Sequence, residues 1–241
     1  MDTDDAFGAA FLAHYNRGHE VYYGTERDDG YLNIMNTTGY FADSSHWRPE
    51  ELTILEHVQS PVMDIGCGAG RHSLYLQDKG FDVLAVDNSS GAVEVCKKRG
   101  VRQVEQYSIF DLSRLDRTFS SFLMFGNNIN LAGSYYGTIG FLQEIKRLSK
   151  PGAVLLGTYM SPLPTDKPYH LEYHQRNRDA GNPIGQVIIR VRFENYLSQW
   201  IEFYLPTPEE FDEILNKSGW KLVKDITVGT IHHVVLEILN N

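Results

Sequence analysis

Val62-Met63-Asp64-Ile65-Gly66-Cys67-Gly68-Ala69-Gly70-Arg71-His72-Ser73 is the stretch whose reading decides the fold. A short apolar run ends in a carboxylate, three glycines follow on alternate positions, and a helical pattern opens at Arg71. A buried strand, a tight turn and a helix N-terminus together leave backbone N–H groups pointing at a ligand. The glycines let the chain turn sharply and let a ligand approach where Cβ atoms would clash. A second apolar run, Val83-Leu84-Ala85-Val86, ends at Asp87, 23 residues beyond Asp64. An acid at the end of the second strand is placed to hold ribose hydroxyls. The spacing therefore predicts a nucleoside-binding βαβ unit.

Two cofactor classes use such a unit. The dinucleotide fingerprint Gly-x-Gly-x-x-Gly needs its third glycine at position 71, which is Arg, so a nicotinamide dinucleotide is disfavoured. The observed Asp-x-Gly-x-Gly-x-Gly instead resembles motif I of the class I S-adenosylmethionine-dependent methyltransferases. Further segments fit that family. Phe110-Asp111-Leu112 resembles the segment whose acid meets the adenine amino group. Phe122 to Asn128 resembles the fourth strand and its end, and Leu148 to Ala153 the Pro-Gly turn before the fifth.

The resemblance implies an α/β fold: a doubly wound, mostly parallel seven-stranded sheet of order 3-2-1-4-5-7-6. It implies methyl transfer from S-adenosylmethionine to a small or modest-sized organic acceptor, with S-adenosylhomocysteine as product. Asp64, Gly66, Cys67, Gly68 and Gly70 would surround the methionine end. Asp87 would hold the ribose, Asn88 would lie near the adenine, Asp111 would meet its amino group and Leu112 would pack on the ring. Gly126 and Asn127 would close the site at the fourth strand, Asn127 through its backbone. A binder of the same cofactor without catalysis, a sensor or assembly protein, is the alternative from a different class.

Composition bounds these readings. A chain of 241 residues holds one α/β domain with additions. A net charge of −9 speaks against a phosphate-backbone partner, because nucleic-acid affinity rests on Lys and Arg. Two cysteines, Cys67 and Cys96, make no disulfide framework, which suits a reducing interior. No basic-then-apolar leader and no run of 18 apolar residues is present, so a cytoplasmic location without membrane spanning is expected.

Outside the βαβ core, Phe7, Phe11, Leu12, Tyr15 and His19 recur at helical spacing and predict a helix over 4–23. Residues 24–46 read as loop, rich in turn chemistry from Gly24 to Tyr31. Residues 1–46 are expected to form a helical cap, with 47–241 as the main domain. Alternation continues through a helix at 71–79, strand 82–86, helix 89–99, a strand near 102–107, strand 119–125, helix 137–149 and strand 153–159, which implies a parallel sheet with right-handed crossovers. Residues 161–206 interrupt the pattern as an insert whose two alternating runs, Gln186 to Glu194 and Leu197 to Leu205, read as a β-hairpin. Thr207-Pro208-Glu209-Glu210 starts a last helix with capping chemistry, and strands at 221–228 and 233–239 close the sheet.

Catalytic candidates are few, because methyl transfer from a sulfonium needs in-line attack and a dry pocket more than a strong base. Asn128 follows the fourth strand at the depth of the methyl group. Asn127-Asn128-Ile129-Asn130 departs from the Asn/Asp-Pro-Pro-aromatic motif of nucleic-acid amino methylation. His170 and His174 would share one face of a helix and could face an acceptor; no third ligand accompanies them, so no metal is expected. Arg176 and Arg178 could recognise a carboxylate, and Tyr22, Tyr23 and Tyr31 could line a pocket under the cap. His72 reads as structural or as lying near the cofactor carboxylate, and His232 and His233 read as structural. Cap and insert together are expected to govern the acceptor and to leave the cofactor end alone.

Overall fold

The computed structural model describes residues 4–239, so the first three residues of the expected cap and the last two of the chain lie outside it. In chain order, helix α1 (Ala6–Arg17) leads to strands β1 (Tyr22–Arg27) and β2 (Leu32–Asn36) and to short helices α2 (Thr38–Phe41) and α3 (Pro49–Leu55). The alternating unit follows as β3 (Val62–Ile65), α4 (Arg71–Asp78), β4 (Val83–Asp87), α5 (Ser90–Arg99), β5 (Val104–Gln106), β6 (Phe119–Met124), α6 (Tyr135–Arg147) and β7 (Ser149–Met160). Helix α7 (Pro168–Asp179) and strands β8 (Gln186–Phe193), β9 (Tyr196–Leu197) and β10 (Ile201–Tyr204) make the insert. Helix α8 (Pro208–Ser218) and strands β11 (Trp220–Val228) and β12 (Ile231–Ile238) end the chain.

Seven strands form the main sheet in the order β11-β12-β7-β6-β3-β4-β5. The pairs β6/β7, β3/β6, β3/β4 and β4/β5 are parallel, and β12 and β11 add antiparallel at one edge. The central strands are apolar on both faces because helices cover both, which is why β3 and β4 read as continuous rather than alternating runs. One core cluster, centred on Phe119, Phe122, Leu142, Phe211 and Trp220, fills one face. Trp47, Ile54, Val62, Leu76 and Leu123 belong to the cluster on the other. Strand order reverses between β3 and β6, so the carboxyl ends of β3, β4 and β6 open onto the crevice where such sheets bind ligands. Among the described residues no helix is long and apolar enough to cross a membrane.

The cap departs from its expected form. Helix α1 stops at Arg17, where Gly18 takes a left-handed C-cap (φ +74°), so His19 is exposed beyond the helix. Residues 24–46, read as loop, instead supply a β-hairpin: β1 pairs antiparallel with β2 from Tyr22↔Asn36 to Glu26↔Leu32. The turn signals at Asp28-Asp29-Gly30 were real, but they mark the tip of that hairpin. Its strands are specified by a partner distant in sequence, because β1 also pairs with β8 (Gly24↔Arg192 to Arg27↔Ile189) and β8 with β10. Cap and insert are therefore one structure, a small antiparallel sheet of order β10-β8-β1-β2 with β9 attached to β8. Glu26 holds the two segments together on the outer face, accepting from Arg190 at 2.9 Å and Arg192 at 3.1 Å.

Candidate active site

The glycine turn runs off β3 with Gly66, Gly68 and Gly70 at φ +69°, +57° and +79°, a region other L-residues enter at a cost. Gly66 and Gly70 are also needed for space. A Cβ on Gly66 would meet the Asn128 amide at 2.3 Å, and one on Gly70 would meet Val101 at 2.8 Å and the Cys96 sulfur at 2.9 Å. Gly68 is different. A Cβ there would stand at ordinary contact distance from Tyr40 and Phe11, at 3.4 and 3.7 Å, without a clash.

Asp87 sits against this turn. Its Oδ2 accepts the Gly68 N–H and its Oδ1 the Ser89 N–H, each at 2.9 Å. Burial pushes its carboxyl up to about 6, opposed by those two N–H groups and reinforced by the charges of Asp5 and Asp64. Each oxygen keeps a free lone-pair direction, which is what a ribose diol needs. Asp64 is placed differently from its expected part. It is 2% exposed and accepts the Ser73 hydroxyl at 2.6 Å, so it ties α4 to β3 beneath the turn instead of lining the open side.

On the floor side, Asn127 takes a left-handed conformation (φ +64°) and donates its N–H to Thr158 Oγ1 at 2.8 Å. The Asn128 amide donates to the carbonyls of Ile65 (3.0 Å) and Gly66 (2.9 Å), so both amide hydrogens serve the turn. Asn130, two residues on in the same short 3₁₀ turn (Asn128–Ala132), is fully buried. It accepts from the Met160 N–H at 2.8 Å and donates to the Tyr204 carbonyl at 2.6 Å. On the adenine side, Asn88 is exposed and its carbonyl accepts from Gln106. Asp111 is half-exposed beside Arg114. Leu112 is 1% exposed within the main core, so its side chain is not free to pack on a ring; the exposed aromatic of that segment is Phe110. Cys67 and Cys96 are both buried free thiols, 3.7 Å apart.

Several contacts at the turn come from residues that sequence reasoning missed. Asp5 caps α1 by accepting the Gly8 N–H (2.9 Å) and reaches across to α5, accepting the Gly91 N–H (2.9 Å) and the Ser89 hydroxyl (3.0 Å). Gly8 and Gly91 permit that approach, since a Cβ on Gly91 would lie 2.6 Å from the Gly8 backbone. Arg99 donates to the Ala69 carbonyl at 2.5 Å and, at 3.4 Å, to that of Tyr40. Glu51 takes hydrogen bonds from Arg71 and His72; burial alone would raise its carboxyl, but these partners hold it below the usual range. His72 is buried there between Trp47 and Phe125. The Asp5–Gly8 spacing is an N-cap signal and was legible; the reach of Asp5 to α5 was not. Phe11 of α1 and Tyr40 of α2 lie directly against the glycine turn.

A cavity of about 230 Å³ lies between the small sheet, α7 and the end of β7. His170 and His174 both line it, as their spacing on α7 requires. His170 Nδ1 accepts from Arg27 at 3.1 Å, and Arg27 also donates to both Asp29 oxygens and to the Tyr169 carbonyl. Burial, then the Arg27 charge, lowers the His170 imidazole. Tyr31 lines the cavity, while Tyr23 is buried in the cap and Tyr22 is exposed. Arg176 is paired with Asp28, and Arg178 is exposed and donates to the side chain of Gln175. His232 pairs with Asp225 and His233 is buried under α3, away from the crevice. Among the described residues no group of three His, Cys, Asp or Glu could hold a metal ion.

Residues 62–152 match the family described as "methyltransferase domain". Over that stretch the chain is similar to a methyltransferase domain. Two curated relatives agree with the match. Cypemycin N-terminal methyltransferase of a Streptomyces species is 38% identical over 94 residues, 38% of each chain. Demethylmenaquinone methyltransferase of Renibacterium salmoninarum is 30% identical over 159 residues, 58% of this chain and 63% of that one. The chain thus spans between about a third and two thirds of the length of the relatives it matches. In fold, it is similar to a S-adenosylmethionine-dependent methyltransferase from Bacteroides fragilis solved with S-adenosylhomocysteine. The TM-score is 0.83 at 22% identity, over 99% of this chain and 96% of that one.

The matched stretch, residues 62–152, holds the turn, Asp87, Asp111, Asn127 and Asn128, the parts expected to serve the cofactor. Asp5, Phe11, Tyr40, His170 and His174 lie outside it, on the cap and insert. The turn and the acid lie within the matched stretch, and the second sheet with its cavity lies outside it.

Proposed function

We propose that the protein transfers a methyl group from S-adenosylmethionine to a small or modest-sized organic acceptor. The observation that carries this reading is Asp87: a carboxylate at the carboxyl end of β4, held by two backbone N–H groups and left with acceptor capacity for a diol. The turn supports the same reading, since Gly66, Gly68 and Gly70 take left-handed conformations at the carboxyl end of β3 and carry no Cβ that would keep a ligand from the backbone. Gly66, Cys67, Gly68 and Gly70 would line the amino-acid end of the cofactor, Asp87 the ribose, and Asn88 and Asp111 the adenine, with Gly126 and Asn127 at the rim. When bound, the cofactor supplies an electrophilic methyl group. What the chain contributes is orientation and exclusion of water. Asn128 acts by positioning, because its amide is committed to the carbonyls of Ile65 and Gly66.

We read residues 4–46 and 161–206 as a joint lid, continuous through the β1–β8 pairing, that covers both the cofactor turn and the acceptor. The small, mainly apolar cavity at the end of β7 favours a small molecule over a nucleic acid or an unfolded chain. The test is a cofactor-release assay with S-adenosylmethionine across phenols, amines, carboxylates and thiols. Turnover of at least one class is expected. Cofactor binding with no turnover over a broad panel would support a non-catalytic binder.

A further inference from the structure

The cavity on the insert holds a polar group with no task in the fold. His174 is 7% exposed, lines the cavity, and neither ring nitrogen has a hydrogen-bond partner among the described residues. Its helical neighbour His170 is committed to Arg27. An imidazole that lines a cavity and is not used by the fold is free to meet a ligand atom there.

The wall around it defines the ligand. Met160, Pro162, Val187, Ile189, Phe203 and Leu205 make most of the lining apolar. The volume of about 230 Å³ is below the ~300–1,000 Å³ usual for drug-sized ligands, so the occupant is compact. Arg27 is the charged group of the lining, and its guanidinium is neutralised by Asp29 at 2.8 and 2.6 Å. No carboxylate lines the cavity, so an ammonium would find no counter-charge, and a carboxylate would find no free cation. What remains is a neutral, mostly apolar molecule with one hydrogen-bond donor for His174.

The cavity is coupled to the glycine turn through the single 3₁₀ turn Asn128–Ala132. Asn128 holds the Gly66 carbonyl, and Asn130 holds the backbone of Met160, which lines the cavity. Two residues of one turn thus bond to the backbone at both places.

Resting on the methyl-transfer reading, we propose that this cavity is the acceptor site, that the acceptor is a compact phenol-type hydroxyl compound, and that His174 accepts its proton. In that step the phenolic oxygen forms a bond to the methyl carbon. The bond from that carbon to sulfur breaks with its electron pair staying on sulfur, and the phenolic proton passes to the free imidazole nitrogen. The products are an aryl methyl ether, a neutral thioether and an imidazolium that later loses its proton to water. Burial lowers the His174 imidazole, and the neighbouring charges of His170, Arg178 and Arg27 act the same way, so it stands ready in the neutral form. The titratable groups facing it from other elements are Arg27 and Tyr31, with Tyr173 and His170 beside it on α7; β7, β8, β10 and the loop at Thr230 present uncharged residues.

The test uses the full chain labelled with carbon-13 at histidine Cε1, the His174 resonance being assigned by His174→Gln. Three probes are added in turn with S-adenosylhomocysteine present: 4-nitrophenol, nitrobenzene, which lacks the hydroxyl, and benzoate. The expected result is a saturable shift of the His174 resonance with 4-nitrophenol, a smaller one with nitrobenzene and none with benzoate. Ile189→Trp, which fills the cavity, should abolish the shift without changing S-adenosylhomocysteine affinity by more than about twofold. With any phenol that turns over, His174→Gln should lower kcat by about a hundredfold and remove the acid limb of its pH profile, a signature that loss of packing alone does not give. A His174 resonance unmoved by 4-nitrophenol while S-adenosylhomocysteine binds overturns the acceptor site and leaves the methyl-transfer reading standing. A stronger response to benzoate than to 4-nitrophenol overturns the acceptor class. Failure of S-adenosylhomocysteine to bind overturns the reading itself.

Discussion

Asp87 accepts the backbone N–H of Gly68 at 2.9 Å, so the acid proposed for the ribose also sets the shape of the turn proposed for the methionine end. One side chain serves two halves of a single ligand site. Asp87→Ala removes the anchor of the turn together with the ribose contacts, and should weaken S-adenosylhomocysteine binding by about 1–3 kcal/mol. Asp87→Asn can still accept from Gly68 and should lose less. Calorimetry on the two variants separates the roles; equal losses would mean that the turn does not depend on Asp87.

The same carboxyl makes cofactor affinity depend on pH. Burial raises it to about 6, so the folded chain holds a proton there that the unfolded chain releases near the ordinary aspartate value. Two consequences follow in opposite directions. Between about pH 4 and 6 this group's contribution to stability falls as pH rises, because the unfolded state ionises first. Cofactor affinity should rise over the upper part of the same window, because the ionised carboxylate offers both oxygens to the ribose. Affinity measured from pH 5 to 7.5 should climb and level off above about 6 in the native protein. It should stay nearly flat in Asp87→Asn.

The three glycines of the turn should fail differently. Gly66→Ala drives a Cβ to 2.3 Å from the Asn128 amide, while Gly68→Ala meets only contact distances and the strain of its φ of +57°. Strain alone costs roughly 1–2 kcal/mol, so thermal melts should show Gly66→Ala as the more destabilising. Part of the Gly66→Ala cost should vanish in an Asn128→Ala background, because the two side chains compete for one space. Additive losses would place the clash elsewhere.

Asp5 joins the cap to the cofactor side by accepting from Gly8 at the start of α1 and from Gly91 at the start of α5. Asp5→Ala should cost about 1 kcal/mol as a lost cap, with more for the second helix end left open. Because Phe11 of α1 lies over Gly68, the undocked cap should also weaken cofactor binding. Hydrogen exchange across residues 6–17 should accelerate in the variant, and unchanged protection there would show that α1 docks by its apolar face alone.

The sequence made the parts of this architecture that are local legible. A four-residue apolar strand, an alternating glycine turn and an acid at a fixed spacing are signals carried by neighbours in the chain. Thr207 and Glu210 form the capping box their spacing suggests. The small sheet was not legible in the same way. Tyr22–Arg27 alternates only weakly and carries Gly24, so its strand state is decided by pairing with Gln186–Phe193, more than 150 residues away. The roles of Asp64 and Asn128 were hidden for a related reason. Both stand where a ligand group is expected, but each is spent on a neighbour of the turn, Ser73 for Asp64 and the carbonyls of Ile65 and Gly66 for Asn128. The pairing of His170 with Arg27 likewise depends on β1 lying beside α7.

The central claim is that the turn from Gly66 to Gly70 and Asp87 bind S-adenosylmethionine. The most direct measurement is calorimetric titration of the full chain with S-adenosylhomocysteine and, separately, with NAD. The account predicts one S-adenosylhomocysteine per chain, no heat from NAD, and a clear loss of affinity in Asp87→Ala. Binding of NAD, or S-adenosylhomocysteine binding that Asp87→Ala leaves unchanged, would contradict it.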